Sequence, residues 1–145
     1  MSSDTSENNR FALAVAAAWS SLERQLDCSL SALRGVSFAE YRLLRALSEA
    51  PKGQASRIDA ARSIGLTASG VTRALRPLEK IGLVSTVTHK RDARLAMAKL
   101  TPAGQALINE ASGIVDDTVA SILKRAPSLS TKLKSVSSLL DTLRT

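Results

Sequence analysis

The sequence predicts a mainly helical protein with a small β-wing, in which a winged helix-turn-helix is flanked by helices that form a homodimer. Aromatic residues make up only 3% of the 145 residues, so Leu, Ile, Val and Ala must build the core, a composition typical of helical proteins. Two short amphipathic helices meet at a three-residue turn that begins with Gly65, which is a helix-turn-helix signature. Two β-capable runs, Leu83–Thr88 and Leu95–Leu100, follow at once and are joined by the basic sequence HKRDAR.

The N-terminal part of the chain predicts a tail and two helices. Residues 1–9 are polar and are predicted to be disordered. A long helix is predicted from about Arg10 to Gly35, with one apolar stripe formed by Phe11, Val15, Ala18, Trp19, Leu22, Leu26, Leu30 and Leu33. Ser37 and Glu40 have the spacing of a capping box that opens a second helix. This second helix is expected to bury Tyr41, Leu44 and Leu47.

The helix-turn-helix carries the most informative pattern. Its first helix, Ile58–Ile64, is ended by Gly65, and Thr67 supplies a cap for a second helix that runs to about Lys80. The second helix is expected to bury Val71, Ala74, Leu75 and Leu78. Its opposite face presents Ser69, Gly70, Thr72, Arg73, Arg76 and Lys80. Small hydroxyls followed by arginines are typical of a helix that enters the major groove of DNA, although Pro77 removes one hydrogen bond and is expected to bend the axis.

The hairpin and the distribution of charge both favour a nucleic-acid partner. Lys90, Arg91 and Arg94 stand at the hairpin tip, where we expect them to lie along phosphates and to push a side chain into the minor groove. Residues 36–100 hold twelve basic and five acidic residues, so this segment alone accounts for the net charge of +7 of the whole chain. Such confinement indicates a dedicated basic surface rather than an evenly charged one.

The C-terminal part predicts two further amphipathic helices. One begins at Thr101-Pro102, and the last spans about Ser130 to Leu143. The first helix and these two are strongly apolar on one side, and neither end of the chain alone could cover those stripes. We therefore expect residues 10–35 and 102–145 to form a dimerisation region with a second copy, and residues 36–101 to form the DNA-binding domain.

From Val36 to Leu107 the sequence resembles the MarR family of transcriptional regulators. The resemblance is carried by VSFAEYRLLRAL, IGLTASGVTRALRPLEKIGLV, the DAR of the wing and LTPAGQAL, in this order and spacing. It implies a winged-helix homodimer that binds a palindromic operator in double-stranded DNA and, in most members, is released by a small ligand or an oxidant. It also implies that Asp92 holds Arg94 in position for the minor groove; a surface ion pair of little energetic value is the plainer interpretation of this pair.

Together these observations predict one set of DNA-contacting residues. The set comprises Thr67, Ser69, Gly70, Thr72, Arg73, Arg76, Lys90, Arg91, Asp92 and Arg94. The leading hypothesis is a repressor that acts on an operator. The alternative is a winged helix used for protein–protein contact without specific DNA binding. Such a module would have little reason to carry basic residues on both the second helix of the helix-turn-helix (the recognition helix) and the wing.

The few aromatic residues leave two interpretations open. Core packing is the ordinary role for Trp19, Phe38 and Tyr41, and it is the one we favour. The alternative is that they border an effector cleft, which the MarR resemblance implies between the dimerisation helices and the DNA-binding lobe. Arg42 or Arg45 would then meet an anionic or aromatic ligand.

Other kinds of site have little support in the sequence. Cys28, the single cysteine, excludes an intramolecular disulfide, and its place off the apolar stripe beside Asp27 disfavours a redox sensor. His89 has no second His or Cys nearby, so we expect neither a metal nor another cofactor. The chain has no catalytic motif at a recognisable spacing and no apolar run near the ~20 residues that span a bilayer. We therefore expect a cytoplasmic protein that is not an enzyme.

Overall fold

The computed structural model describes residues 5–33, 35–89 and 92–144. A short 3-10 turn, Pro51–Gly53, precedes the first strand. A one-turn helix, Pro127–Ser130, precedes the last helix, which begins at Leu133 rather than at about Ser130. The elements in chain order are α1 (Glu7–Leu30), α2 (Phe38–Glu49), β1 (Gln54–Ser56), α3 (Arg57–Ile64), α4 (Ala68–Lys80), β2 (Val84–His89), β3 (Asp92–Leu100), α5 (Pro102–Lys124), α6 (Pro127–Ser130) and α7 (Leu133–Asp141). The predicted fold class, mainly helical with a small β-wing, is confirmed.

The sheet has three antiparallel strands in the order β1, β3, β2. The hairpin of β2 and β3 pairs Val84 with Leu100 and Val87 with Met97, and it is longer than predicted because β3 already begins at Asp92. On its other side β3 pairs with β1, where Ala55 faces Ala98. The sequence did not predict β1, because three residues without an apolar alternation carry no strand signal of their own.

Several boundaries differ from the predicted ones. The Ser6 hydroxyl accepts a hydrogen bond from the N–H of Asn9, 3.3 Å away, and so caps α1. Helix α1 therefore begins at Glu7, inside the segment predicted to be a disordered tail. The prediction of disorder was wrong for residues 7–9. The helix ends at Leu30 rather than near Gly35, which instead takes a left-handed φ of +70° in the following turn.

The core lies where α2, α3, α4, the sheet and the start of α5 meet. The side chains of Leu43, Leu44 and Leu47 on α2 are fully buried, and Val71, Leu75 and Leu78 of α4 pack into the same cluster. Burying one such Leu stabilises the fold by about 1.5–3 kcal/mol relative to leaving it exposed. Helix α1 contributes mainly through its C-terminal end, where Leu26 and Leu30 are buried.

The start of α5 is fixed tightly to the winged helix. The Thr101 hydroxyl donates a 2.7 Å hydrogen bond to the carbonyl of Gly82 and accepts one of 3.1 Å from the N–H of Gly104. A Cβ atom at Gly104 would lie 2.3 Å from the carbonyl oxygen of Leu83, so only glycine allows this close approach. The predicted cap at Thr101-Pro102 is thereby confirmed and tied to the wing.

Apolar residues at the two ends of the chain are left uncovered. On α1, Phe11 is 55% exposed and Leu13 is 64% exposed, while on α7 Leu139 is 67% exposed. The apolar stripe of α1 thus divides into a buried C-terminal part and an uncovered N-terminal part. Across the described residues, none of the helices combines the length and the apolar character that crossing a membrane requires.

Candidate DNA-binding surface and effector cleft

The helix-turn-helix forms as the sequence predicts. Helix α3 is terminated by its C-cap Gly65, which adopts a left-handed φ of +69°, and Thr67 caps α4 by accepting a 3.1 Å hydrogen bond from the N–H of Gly70. The Thr67 and Ser69 hydroxyl oxygens are 3.2 Å apart. A Cβ atom at Gly70 would meet the Thr67 hydroxyl at 3.2 Å, so the small residue at this position leaves the cap undisturbed.

The two faces of α4 differ sharply in exposure. Val71, Leu75 and Leu78 are buried, whereas Ser69, Arg73 and Arg76 are exposed. Among the residues that the structure describes, neither Arg73 nor Arg76 has an ion-pair partner. Thr72 is half-buried, and its hydroxyl donates a 3.1 Å hydrogen bond to the carbonyl of Ala68. The helix continues past Pro77 to Lys80.

The wing follows α4 directly. The Thr86 hydroxyl of β2 hydrogen-bonds the carboxylate of Glu79, which links the hairpin to the C-terminal end of the recognition helix. Lys90 and Arg91 lie outside the described residues, as do the side chains of Asp92 and Arg94, although the backbone of the latter two belongs to β3. The predicted pairing of Asp92 with Arg94 therefore stays a prediction.

A broad cleft of about 1380 Å³ opens between α1, α2, α3 and the C-terminal segment. Its walls include every residue that the sequence nominated for an effector pocket: Trp19, Phe38, Tyr41, Arg42 and Arg45. The ring centroids of Trp19 and Phe38 are 5.9 Å apart, and those of Phe38 and Tyr41 are 5.7 Å apart. Tyr41 is buried, Phe38 is half-buried and Trp19 is exposed, so the cluster packs on one side and faces the cleft on the other.

The cleft contains guanidinium groups that have different partners. Arg45 on α2 pairs with Glu49 one helical turn away, at 3.0 Å. Arg42 donates a 2.8 Å hydrogen bond from Nη2 to the carbonyl of Ile64, the last residue of α3. Arg144, which follows α7, also lines the cleft and brings Nη2 to 3.5 Å from the carbonyl of Ser63. No local pattern in the sequence marks Arg144, because it reaches α3 only through the tertiary fold.

The base of the aromatic cluster is held by two carboxylates at the N-terminus of α2. The Asp27 carboxylate of α1 accepts a 2.7 Å hydrogen bond from the N–H of Phe38, and the Glu40 carboxylate accepts one of 3.3 Å from the N–H of Ser37. Burial raises the pKa of Glu40 above its usual 4.5; the Ser37 N–H lowers it, and the negative charge of Asp27 raises it further. The predicted capping box is confirmed, whereas the Asp27 contact was missed.

Comparison with known proteins bears on both the surface and the cleft. The family model of the MarR family matches residues 34–95, which run from the turn before α2 into the wing. The transcriptional regulator BldR from Sulfolobus solfataricus is 23% identical, with 94% of this chain and 96% of that chain covered and a TM-score of 0.78. Sco3205, a MarR family transcriptional regulator from Streptomyces coelicolor solved in complex with DNA, is 23% identical over 94% of this chain and 90% of that chain, with a TM-score of 0.75.

A third structure is somewhat more similar in sequence. The MarR family protein Rv2887 from Mycobacterium tuberculosis, in complex with salicylic acid, is 27% identical over 96% of this chain and 99% of that chain, with a TM-score of 0.68. The family match covers the helix-turn-helix and most of the wing, and the likeness in fold extends over the terminal helices. Residues 34–95 of this chain match the MarR family, and the chain as a whole has the fold of MarR-family winged-helix transcriptional regulators.

Proposed function

We propose that this protein is a homodimeric repressor that binds a palindromic operator in the cytoplasm and is released by a small aromatic anion. The observation that carries the proposal is the exposed face of α4. Arg73 and Arg76 stand there opposite the buried Val71 and Leu75, so both guanidinium groups are available while the helix itself is anchored in the core. A protein that occupies a promoter through this face would exclude the transcription machinery from it.

The side chains on α4 suit the reading of bases. Arginine forms bidentate hydrogen bonds with guanine in the major groove, and hydroxyl groups can donate hydrogen bonds to base edges or accept hydrogen bonds from them. Because Ser69 and Gly70 lie in the first turn, the N-terminal end of α4 can approach the groove closely, as recognition helices do. The basic wing would add phosphate and minor-groove contacts beside it.

The uncovered apolar residues at the ends of the chain support a homodimer. Exposed apolar side chains lie on the N-terminal part of α1, on α7 and just after α7, and they are not part of the core of the single chain; among them are Phe11, Leu13, Leu139 and Leu143. A second copy would cover them by two-fold symmetry. Such a dimer presents two copies of α4 and therefore matches a pseudo-palindrome whose half-sites are about 10 bp apart.

The cleft supports release by an anionic aromatic ligand. Its wall combines stacked rings with the guanidinium groups of Arg42, Arg45 and Arg144, a set that provides both apolar contact and charge for a carboxylate. The salicylic acid held by Rv2887 has this chemistry. A ligand that binds better to a dimer with wrongly spaced recognition helices would lower the affinity for DNA.

Selection of binding sites from a random duplex pool tests the proposal. A palindromic consensus with half-sites one helical turn apart is expected, and affinity for it should fall steeply with salt. Arg73→Ala and Arg94→Ala should each weaken binding by about 1–3 kcal/mol if they contact bases. Arg24→Ala, which removes an exposed arginine on the polar side of α1, is the matched control and should bind as the wild type does.

Two results would contradict the proposal. A full-length, folded dimer that enriches no sequence at low salt is not an operator-binding repressor. Binding of DNA that is equally strong in the wild type, Arg73→Ala and Arg94→Ala would show that another surface is used. A weak dependence on salt would instead favour the protein–protein interaction module.

A further inference from the structure

The C-terminus of α3 is held by two arginines from other parts of the chain. The last carbonyl groups of a helix have no partners within the helix and carry the negative end of its dipole. Here the carbonyl of Ile64 accepts a 2.8 Å hydrogen bond from Arg42 of α2, and the carbonyl of Ser63 lies 3.5 Å from Nη2 of Arg144. Both arginines also line the cleft, so the same groups serve the helix-turn-helix and face the ligand space.

Arg42 is the more closely engaged of the two. Its guanidinium lies 6.0 Å from the centroid of the Trp19 ring, within the range of a cation–π contact, and its side chain is half-buried. It therefore joins three elements: the aromatic wall of the cleft on α1, its own helix α2, and the end of α3. Arg45 lines the same cleft from the same helix but pairs with Glu49, and among the described residues it has no hydrogen bond or ion pair with α3.

Ile64 is well placed to pass a displacement on to the recognition helix. Its side chain is buried in the core, and only Gly65, Leu66 and Thr67 separate it from α4. Thr67 is the cap of α4, so a shift of the end of α3 reaches the first turn of the recognition helix through three residues.

We propose that Arg42 is the positioning residue that couples occupation of the cleft to the placement of α4. This inference rests on the proposed function, in which a small aromatic carboxylate enters the cleft and lowers the affinity for DNA. The carboxylate competes with the Ile64 carbonyl for the Arg42 guanidinium. It offers two oxygens and a full negative charge, whereas the carbonyl offers one neutral oxygen, so the bidentate pair with the ligand is the stronger interaction.

Loss of the Arg42 contact then frees the end of α3. With its terminal carbonyl unpaired, α3 and the turn after it adopt positions that no longer align the two recognition helices with one operator. The ligand needs no contact with α4 itself. In thermodynamic terms, the coupling free energy between ligand binding and DNA binding depends on the Arg42 side chain.

The test compares Arg42→Met with Arg45→Met, using the selected operator as DNA and salicylate as ligand. Methionine keeps the length of the stem and a similar helix propensity but removes the charge and the donors. For each full-length protein, DNA affinity is measured by fluorescence anisotropy without salicylate and at a saturating concentration fixed by calorimetry. Sodium chloride replaces salicylate at equal ionic strength in the reference samples, and circular dichroism confirms that each variant is folded.

The wild type should lose affinity for DNA by a factor within the roughly 5- to 150-fold range of allosteric coupling. Without salicylate, Arg42→Met should already bind DNA about as weakly as the liganded wild type, and salicylate should weaken it no further. Arg45→Met is expected to change the affinity for salicylate. It should retain the wild-type ratio of the DNA affinity without salicylate to the DNA affinity at saturating salicylate. Arg42→Lys, which keeps a cation but not the planar fork, should give an intermediate ratio. Salicylamide, which lacks the carboxylate, should leave DNA binding of the wild type unchanged.

The outcomes separate the inference from the proposed function. Failure of the wild type to bind any operator without salicylate overturns the proposed function. A wild type that binds DNA but does not respond to saturating salicylate overturns the coupling and leaves DNA binding intact. Arg42→Met with wild-type DNA affinity, or with the wild-type ratio, also overturns the coupling. Should Arg42→Met be unfolded, Arg42→Lys decides, since a ratio equal to that of the wild type contradicts the role of the guanidinium fork.

Discussion

The winged-helix lobe and the terminal helices of this protein use similar apolar residues with opposite results. In the lobe, Leu44, Leu47 and Leu75 are almost fully buried within one chain. Leu139 on α7 and Leu143 just after it are spaced like core residues, yet each is more than half exposed. The apolar side chains of the lobe are therefore covered by the chain itself, whereas those at the two ends are left exposed and would be covered by the proposed second copy.

Removal of α7 is expected to have the largest effect, because it deletes one of the two uncovered ends. A chain that ends at Pro127 lacks the exposed leucines of α7, and we expect it to lose the dimer, because those side chains are part of the apolar surface that a second copy would cover. Sedimentation velocity gives the answer directly. Deletion of residues 1–5, which precede the cap of α1, is the control and should leave the dimer intact. A dimer that survives the loss of α7 would show that the last helix is peripheral.

Substitution of single leucines by alanine should give the next largest effect, and the change in the free energy of unfolding should differ between the two regions. Leu75→Ala should lower the free energy of unfolding by about 2–5 kcal/mol, because it leaves a cavity in a closed core. Leu139→Ala should change the stability of the lobe by less than about 0.5 kcal/mol, since its side chain is 67% exposed in the single chain.

Protein concentration distinguishes the two leucines in urea denaturation. The decrease in the free energy of unfolding caused by Leu75→Ala should be the same at low and high protein concentration. The decrease caused by Leu139→Ala should grow as the protein is diluted, because this substitution weakens association. Concentration-independent unfolding of both variants would mean that the ends are not held by a second copy.

Gly104 tests the junction between the two regions. Alanine at this position brings a Cβ to 2.3 Å from the backbone of Leu83, so α5 has to shift away from the wing, at a cost of about 1–3 kcal/mol. Gly113 lies on the same helix, and a Cβ there meets no atom within 4 Å. Gly113→Ala should instead stabilise the helix by about 0.5–1 kcal/mol. Equal effects of the two substitutions on the urea midpoint would show that the contact between α5 and Leu83 does not constrain the fold.

Features that depend on neighbouring residues were predictable from the sequence. The cap at Thr67, the left-handed Gly65 and the capping box of Ser37 with Glu40 all form as predicted, since each is decided within three or four residues. The apolar spacing of α4 also fixed which face of that helix is buried. The members of the DNA-contacting set that lie on α4 follow from that face, and the whole set stays a prediction until binding is measured.

Features that depend on the tertiary fold were not predictable. Arg42 reaches Ile64 across 22 residues, and Arg144 reaches Ser63 across 81 residues, so nothing in the local pattern marks either contact. Strand β1 exists because β3 offers it an edge, not because its three residues favour a strand. The sequence favoured core packing for Trp19, yet the side chain is exposed and faces the cleft, because α1 extends beyond the lobe at that point.

The smallest expected effect concerns Glu40, where the lobe meets α1. Its pKa is raised above 4.5 in the folded protein, so the native state binds more protons than the unfolded state between 4.5 and the raised value. The contribution of Glu40 to stability is therefore fully present below pH 4.5 and is lost as the pH rises through the raised pKa. Glu40→Gln keeps the capping box without a titrating group, because Gln serves the same position in that motif. Urea denaturation of both proteins from pH 4 to 7 should show the wild type losing stability relative to Glu40→Gln as the pH rises. A difference that is constant with pH would mean that the Ser37 N–H cancels the effects of burial and of the Asp27 charge, and a change in the opposite direction would mean that it outweighs them.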